Sequence, residues 1–266
     1  MDKHLINIKN SKRIVIKVGS TTLTHSTGKL NLRKLDKLAM ILSDLSNEGR
    51  EIILVSSGAV AAGISKLGLN HKPKTIKEKQ AIASVGQCEL MYIYDKFFDQ
   101  YAQKISQILL TKSITQDELL KENVVNTFET LFNYNVIPII NENDSIAVDE
   151  IVYGDNDTLS AVTAALINAD LLIILSDIDG LYDDNPNTNA NAKLIPLVKE
   201  ITKDIEDFAK DTSSSLGTGG MNTKLVAGKI ANDAKCDMII ANGENPEIIY
   251  DILEGKRVGT LFLGKD

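Results

Sequence analysis

The chain has 266 residues, with 29 Lys or Arg against 36 Asp or Glu, giving a formal net charge of −7 at neutral pH. This acidic balance argues against a general electrostatic attraction to nucleic acid or to an anionic membrane, so any anionic ligand needs a local cluster of donors. Hydrophobic residues make up 43% and charged residues 24%, which excludes the disordered and fibrous classes. The length predicts one large domain, read here as two lobes.

Short runs rich in Val and Ile alternate along the chain with longer segments of helical period, which predicts parallel strands joined by crossover helices. The predicted strands, in chain order, are Arg13–Val18, Glu51–Ser56, Lys104–Leu110, 136–140, Leu171–Ser176 and 237–241. The predicted helices are one between Asn31 as N-cap and Gly49 as stop, then Ala59–Leu67, 76–98, Glu118–Asn133, 158–167, Met221–Asp233 and 246–254. We therefore expect an α/β fold, a three-layer α/β/α sandwich with a mainly parallel central sheet.

The cysteines and histidines offer little material for a metal or redox centre. Cys88 and Cys236 lie far apart and lack metal-site spacing, so we expect both to be reduced core residues. The three histidines, His4, His25 and His71, lie in polar stretches and are expected to be solvated. No stretch approaches the roughly 20 apolar residues of a membrane span, and no secretory signal is visible, so we expect a cytoplasmic location.

Almost every predicted strand ends in a loop rich in Gly, Ser, Thr, Asn or Asp, at the edge where open parallel sheets bind ligands. The first such loop, KVGSTTL, places Lys17 near a strand end, where it either meets an anion or lies on a solvated strand face. The second loop, SSGAVAAG, either binds a carboxylate or phosphate at a helix N-terminus or allows close helix packing.

Two later loops are richer in polar groups. The segment NENDSIAVDEIVYGDND, residues 141–157, carries many acceptors, although each one is also an ordinary turn or cap residue. The segment LGTGGMNTK, residues 216–224, either cradles phosphates with backbone amides or is a flexible connection. No P-loop motif occurs and no GxGxxG follows the first strand, which disfavours the P-loop and Rossmann readings.

The ordered set of motifs, rather than any one of them, identifies a family. The chain resembles the glutamate 5-kinases of the amino acid kinase family through KVGSTTL, VSSGAVAAG, VIPIINENDSIA, YGDNDTLSA, LLIILSDIDGLYDDNP, GTGGMNTK and VGTLF. The match runs from the first strand to Phe262. Longer members carry a C-terminal PUA domain, which we expect to be absent because the sequence ends four residues later, at Asp266.

The resemblance implies an amino acid kinase fold spanning residues 1–266. It also implies transfer of the γ-phosphoryl group of ATP to the side-chain carboxylate of L-glutamate, in the first step of proline synthesis. The implied catalytic residues are Lys17, Lys224 and Asp157, and the implied glutamate-binding residues are Ser57, Asp144 and Asn156. The implied ATP-binding residues are Lys17, Ser176, Asp177, Thr218, Gly219, Gly220, Met221, Asn222, Thr223 and Lys224.

Further expectations follow from the same resemblance. The N-terminal lobe would bind mainly glutamate and the C-terminal lobe mainly ATP, with Mg²⁺ carried by the nucleotide and no separate metal site. The expected partners are glutamate, ATP and the feedback inhibitor proline, with no nucleic acid and no membrane, in a homodimer or homotetramer. Two alternatives stay open: a kinase for acetylglutamate, aspartate or uridylate, or a catalytically silent glutamate or proline sensor.

Overall fold

The computed structural model describes residues 3–25, 27–146, 156–186, 188–210 and 220–265. The strands are β1 (Arg13–Val18), β2 (Glu51–Ser56), β3 (Lys104–Leu110), β4 (Val136–Glu142), β5 (Leu171–Ser176), β6 (Leu197–Val198), β7 (Asp237–Asn242) and β8 (Thr260–Phe262). The helices are α1 (Lys3–Asn10), α2 (Ser20–Leu23), α3 (Leu32–Asn47), α4 (Ala59–Leu67), α5 (Ile76–Asp99), α6 (Glu118–Asn133), α7 (Asn156–Leu166), α8 (Lys203–Lys210), α9 (Met221–Asp233) and α10 (Ile248–Leu253). A 3-10 turn, Lys112–Thr115, follows β3.

The strands form an eight-stranded sheet in the order β3-β4-β2-β1-β5-β7-β8-β6. All pairs are parallel except β7 with β8, which run antiparallel. The six predicted strands are confirmed, and β4 and β7 extend slightly beyond their predicted ends. The prediction of a mainly parallel central sheet is therefore correct.

The two faces of the sheet are covered by different helices. Along β1, Ile14 and Ile16 point to one face and Val15 to the other, as expected for side chains of alternating direction. Helices α3, α5 and α10 bury apolar side chains on the first face, and α6, α7 and α9 bury theirs on the second. The three-layer α/β/α arrangement is thus confirmed.

Helix boundaries follow the expected local signals. The Asn31 side chain accepts a hydrogen bond from the backbone of Lys34 and caps α3, and Gly49 follows the helix in the left-handed conformation, with φ of 89°. The Thr75 and Glu78 pair forms a capping box at the start of α5. None of the helices in the described ranges combines the length and the apolar composition needed to cross a bilayer.

One residue prediction was wrong. Cys236 is buried as expected, but Cys88 is exposed. The reason is helical geometry: Gly86 lies on the buried side of α5, and Cys88 is two residues later, about 200° further round the helix. Several short elements, including α1 and β8, were not predicted, because a few residues carry too little periodicity to detect.

Strand order determines where a ligand site can form. β1 lies at the centre, with β2 on one side and β5 on the other. The chain leaves β1 towards β2 and returns on the opposite side with β5, which makes a topological switch point at the carboxyl ends of these strands. The motifs KVGSTTL and SSGAVAAG begin at the carboxyl ends of β1 and β2, and the polar segment that begins at residue 141 starts at the carboxyl end of β4, the neighbour of β2.

Candidate active site

A buried carboxylate lies between two lysines at the carboxyl edge of the sheet. Asp157, in the first turn of α7, is fully buried; its Oδ1 lies 2.5 Å from Nζ of Lys17, and its Oδ2 lies 3.0 Å from Nζ of Lys224. Lys17 is the penultimate residue of β1, and Lys224 lies in the first turn of α9. Three elements far apart in sequence therefore meet at one carboxylate.

The electrostatics of this triad keep Asp157 ionised. Burial alone would raise its pKa, but the positive charges of Lys17 and Lys224, together with their hydrogen bonds, outweigh burial and lower the pKa to about 2. With both lysines protonated, the triad carries a net positive charge in a place sheltered from water. An arriving phosphate would find its charge partner already in position.

Thr223 fixes the orientation of Asp157. Its hydroxyl lies 3.0 Å from Oδ2 of Asp157 and 2.7 Å from the carbonyl oxygen of Gly220, the N-cap of α9. The start of α9 is thus joined to the start of α7 by the same carboxylate that holds Lys224. Sequence reasoning assigned Thr223 to nucleotide binding and did not foresee this contact.

A network of amides lies beside the triad. The Nδ2 of Asn156 lies within hydrogen-bond distance of three acceptors: the carbonyl of Ser56 at 2.7 Å, Oγ of Ser57 at 2.9 Å and Oδ1 of Asn141 at 3.0 Å. Its two N–H groups are shared among these acceptors. Nδ2 of Asn141 donates in turn to Oε1 of Gln87, on α5, at 2.8 Å. The structure therefore brings together two of the predicted glutamate-binding residues, Ser57 and Asn156.

Asn141 and Gln87 are site-forming residues that the sequence reasoning did not select. Asn141 is buried and its Oδ1 also accepts from the backbone of Glu142, so both ends of its amide are held. The signal for Asn141 was its position at the end of a buried strand. Gln87 carried no local signal, because its role depends on α5 packing against this strand end.

The third predicted glutamate-binding residue is placed differently. Asp144 lies in the turn after β4, where its Oδ1 is 3.4 Å from Nζ of Lys79, near the start of α5. The side chain of Asp144 is 18% exposed and that of Lys79 is 49% exposed. Asp144 thus lies in a more open part of the edge than the triad.

The predicted nucleotide residues lie at the ends of two elements. Ser176 ends β5, and its hydroxyl donates to Oδ1 of the following Asp177 at 3.1 Å. Gly220, Met221, Asn222 and Thr223 lie at the start of α9, where free backbone N–H groups suit a phosphate. Thr218 and Gly219 lie outside the described residues. Within the described ranges no three His, Cys, Asp or Glu side chains are grouped so as to hold a metal ion.

Sequence comparison gives relatives over almost the whole chain. A glutamate 5-kinase of Clostridium perfringens is 54% identical over 262 residues, covering 97% of each chain. A glutamate 5-kinase of Listeria innocua is 53% identical over 263 residues, covering 97% of this chain and 95% of the relative. One of Enterococcus faecalis is 49% identical and covers 96% of each.

Solved structures share the fold at low identity. A carbamate kinase from Giardia lamblia bound to AMP-PNP has a TM-score of 0.68 at 17% identity and covers 97% of this chain and 100% of that one. A UMP kinase from Bacillus anthracis has a TM-score of 0.63, also at 17% identity, and covers 96% of this chain and 97% of that one. The sequence profile described as the amino acid kinase family matches residues 12–242. By this match and by its relatives, the chain belongs to the amino acid kinase family.

Proposed function

We propose that the protein transfers the γ-phosphoryl group of ATP to the side-chain carboxylate of L-glutamate, forming L-glutamyl 5-phosphate in the first step of proline biosynthesis. The observation that carries the proposal is the buried Lys17–Asp157–Lys224 triad at the switch point of the sheet. The relatives named glutamate 5-kinase support glutamate as the acceptor. They are 54% and 53% identical to this chain over nearly its full length.

The nucleophile in this reaction needs no general base. A glutamate side chain has a reference pKa of about 4.3, so it is already ionised at neutral pH. Asp157, with a pKa of about 2 and both oxygens held by lysines, is a poor proton acceptor. Its role in the proposal is to hold two like charges close together, and it does not take up a proton.

Catalysis then rests on charge and position. The difficult part of the reaction is to bring an anion to a polyanion and to stabilise the charge on the phosphoryl group in transit. Lys17 approaches this group from the end of β1 and Lys224 from the start of α9. The phosphates of ATP would hold Mg²⁺, which would supply further positive charge.

The two substrates are assigned to opposite sides of the triad. Ser57, Asn156 and Asp144, together with the described residues that follow β2 and β4, form the proposed glutamate side in the N-terminal lobe. Ser176, Asp177 and the start of α9 form the proposed ATP side in the C-terminal lobe. The lobe assignment, a cytoplasmic location for this ATP-consuming step and a homodimer or homotetramer are further predictions from the family resemblance.

The test is a coupled assay of ADP release by the purified protein with Mg-ATP and one of four acceptors: glutamate, N-acetylglutamate, aspartate or UMP. We expect ADP release with glutamate and at least a hundredfold less with the others. Faster release with another acceptor would identify a different kinase of the family. Binding of both glutamate and ATP without ADP release would identify a sensor.

A further inference from the structure

An ion pair beside the proposed glutamate pocket has no part in the triad or the amide network. It joins Nζ of Lys79 to Oδ1 of Asp144 at 3.4 Å, with the Lys79 side chain 49% exposed. This distance is longer than the roughly 2.7–3.2 Å of a direct N–H···O hydrogen bond. A loose ion pair with one half-exposed partner contributes little to stability, so it can open at small cost.

Helix α5 places Lys79 against the pocket. Lys79 and Gln87 are separated by two four-residue steps on one side of α5, so they lie roughly 12 Å apart along its axis. Both reach the chain after β4, because Gln87 accepts from Asn141 and Lys79 pairs with Asp144. This side of α5 therefore forms a wall that runs past the end of β4.

We propose that Lys79 binds the α-carboxylate of the acceptor and thereby makes the site specific for an α-amino acid. This inference rests on the proposed function and names a residue for it. Glutamate carries an ammonium and a carboxylate on one carbon, at the end remote from the reacting carboxylate. One anion and one cation side by side are complementary to that end, and Asp144 and Lys79 supply them.

Substrate binding is then an exchange of partners. Asp144 releases Lys79 and takes the α-ammonium, while Lys79 takes the α-carboxylate. Each of the four charges keeps an opposite charge beside it, so neither side chain is left uncompensated. No covalent bond changes and no proton moves. The side-chain carboxylate of glutamate then points towards Asn156 and the triad.

A different role for Lys79 makes a different prediction. If Lys79 only holds Asp144 in place, its removal weakens the binding of every ligand that carries an ammonium group. If Lys79 binds the α-carboxylate, its removal weakens the binding only of ligands that carry an α-carboxylate. The compound 4-aminobutyrate is glutamate without the α-carboxylate, so it keeps both the ammonium and the reacting carboxylate and separates the two roles.

The experiment compares Lys79→Met with the wild type. Methionine keeps an unbranched side chain and removes the charge. We expect kcat/KM for glutamate to fall at least tenfold, mainly through KM, with KM for ATP changed less than twofold. The kcat/KM for 4-aminobutyrate, or its inhibition constant against glutamate where turnover is slow, should change less than twofold. Lys79→Arg should recover most of the loss.

Lys66→Met is the matched control. Lys66 lies on α4, its side chain is 55% exposed, and it pairs at 2.8 Å with Glu89 of α5, the helix that carries Lys79. Its removal therefore costs a comparable surface pair that also involves α5. Lys66→Met should leave kcat/KM unchanged for both glutamate and 4-aminobutyrate. A loss for glutamate below tenfold in Lys79→Met, or an equal loss for 4-aminobutyrate, overturns the inference. A wild type that releases no ADP with glutamate contradicts the proposed function instead.

Discussion

Asp157 is the residue on which the proposed chemistry depends, because it neutralises part of the repulsion between two buried lysines. Each lysine contacts one carboxylate oxygen of Asp157, and Thr223, on α9, fixes the orientation of this carboxylate. Two ammonium groups this close in a dry site would repel strongly without the carboxylate. The arrangement keeps two positive charges beside the place where the phosphoryl group would travel.

Removal of either lysine should therefore abolish a transition-state contact. We expect Lys17→Met and Lys224→Met each to lower kcat at least about a hundredfold. The free energy of unfolding should also fall. Breaking a buried ion pair typically costs about 3–5 kcal/mol, and we expect a loss near or below this range because the remaining lysine still pairs with Asp157. Steady-state ADP release and urea unfolding measure the two effects.

The control for these variants is Lys12→Met. Lys12 comes just before β1, the strand of Lys17, at the end opposite the triad. Its side chain is 70% exposed, and its Nζ lies 3.5 Å from Oε1 of Glu51. It should change neither turnover nor stability measurably. Near-normal turnover in Lys17→Met or Lys224→Met would remove that lysine from the mechanism.

The depressed pKa of Asp157 has a consequence for acid stability. Its ordinary value of 3.8 applies to the unfolded chain and about 2 to the folded protein, so its contribution is fully present above about pH 4. The contribution, roughly 2–3 kcal/mol from the size of the shift, is lost as pH falls from 4 towards 2. Urea unfolding of wild type and Asp157→Asn between pH 6 and pH 2 measures it.

The expected result is a stability difference between the two proteins that shrinks by that amount below pH 4. Other carboxylates titrate in both proteins and cancel in the comparison. A difference that stays constant from pH 6 to pH 2 would mean that the pKa of Asp157 is not depressed.

At the scale of elements, the crossing of α4 and α5 determines the shape of the proposed glutamate side. The two helices touch backbone to backbone: a Cβ on Gly86 would lie 1.7 Å from the carbonyl oxygen of Ala59, and one on Gly63 would lie 2.0 Å from that of Ile82. Only glycine allows this approach. It brings Gln87 close enough to hold Asn141, and through Asn141 it orients Asn156.

Gly86→Ala should force the helices apart, because the clash is with backbone and no rotamer relieves it. We expect a loss of stability at or above the about 1–3 kcal/mol typical of overpacking, together with a higher KM for glutamate. Ser84→Ala, exposed on the same helix, is the control and should stay within about 0.5 kcal/mol of wild type. Thermal unfolding and steady-state kinetics with glutamate measure the two effects. An unchanged melting temperature in Gly86→Ala would contradict the close crossing.

At the scale of the whole molecule, the central strand β1 separates the two proposed binding sides. β2, β4 and β3 lie to one side of it and β5, β7, β8 and β6 to the other. Lys17 of β1 lies at the boundary, where the triad also draws in α7 and α9. In the proposed assignment, a ligand on the glutamate side alone would block the reaction without touching the ATP side.

Proline should be such a ligand. It shares the α-carboxylate and ammonium centre of glutamate but lacks the side-chain carboxylate, so it offers no acceptor. We expect proline to inhibit, glutamate to relieve the inhibition and, by reciprocal linkage, glutamate to weaken proline binding. Asp144→Ala should weaken the binding of both glutamate and proline, with a smaller effect on the KM for ATP.

The measurement is a titration of proline at several glutamate concentrations with saturating ATP, on wild type and Asp144→Ala. Inhibition that glutamate does not relieve would place a regulatory site elsewhere. Complete insensitivity to proline would show that this chain lacks the feedback expected from its family resemblance.

The sequence alone was enough to predict the layered fold and the order of its main elements. β1, β2, β3 and β5 match their predicted bounds, because runs of Val, Ile and Leu bounded by turn residues are local signals. α1, with Ile8 as its only buried residue, and the two-residue β6 were missed because their patterns are too short. The ordered motifs also carried the family resemblance.

Only the tertiary structure decided what the polar residues touch. The sequence left Lys17 open between an anion site and a solvated strand face; it is buried against Asp157, a partner far away in the chain. The pairing of Asn141 with Gln87 and of Asp144 with Lys79 was equally invisible. Periodicity reports which side of an element is buried, but contacts between distant elements depend on strand order and on how closely helices approach, and these arise only when the whole chain packs.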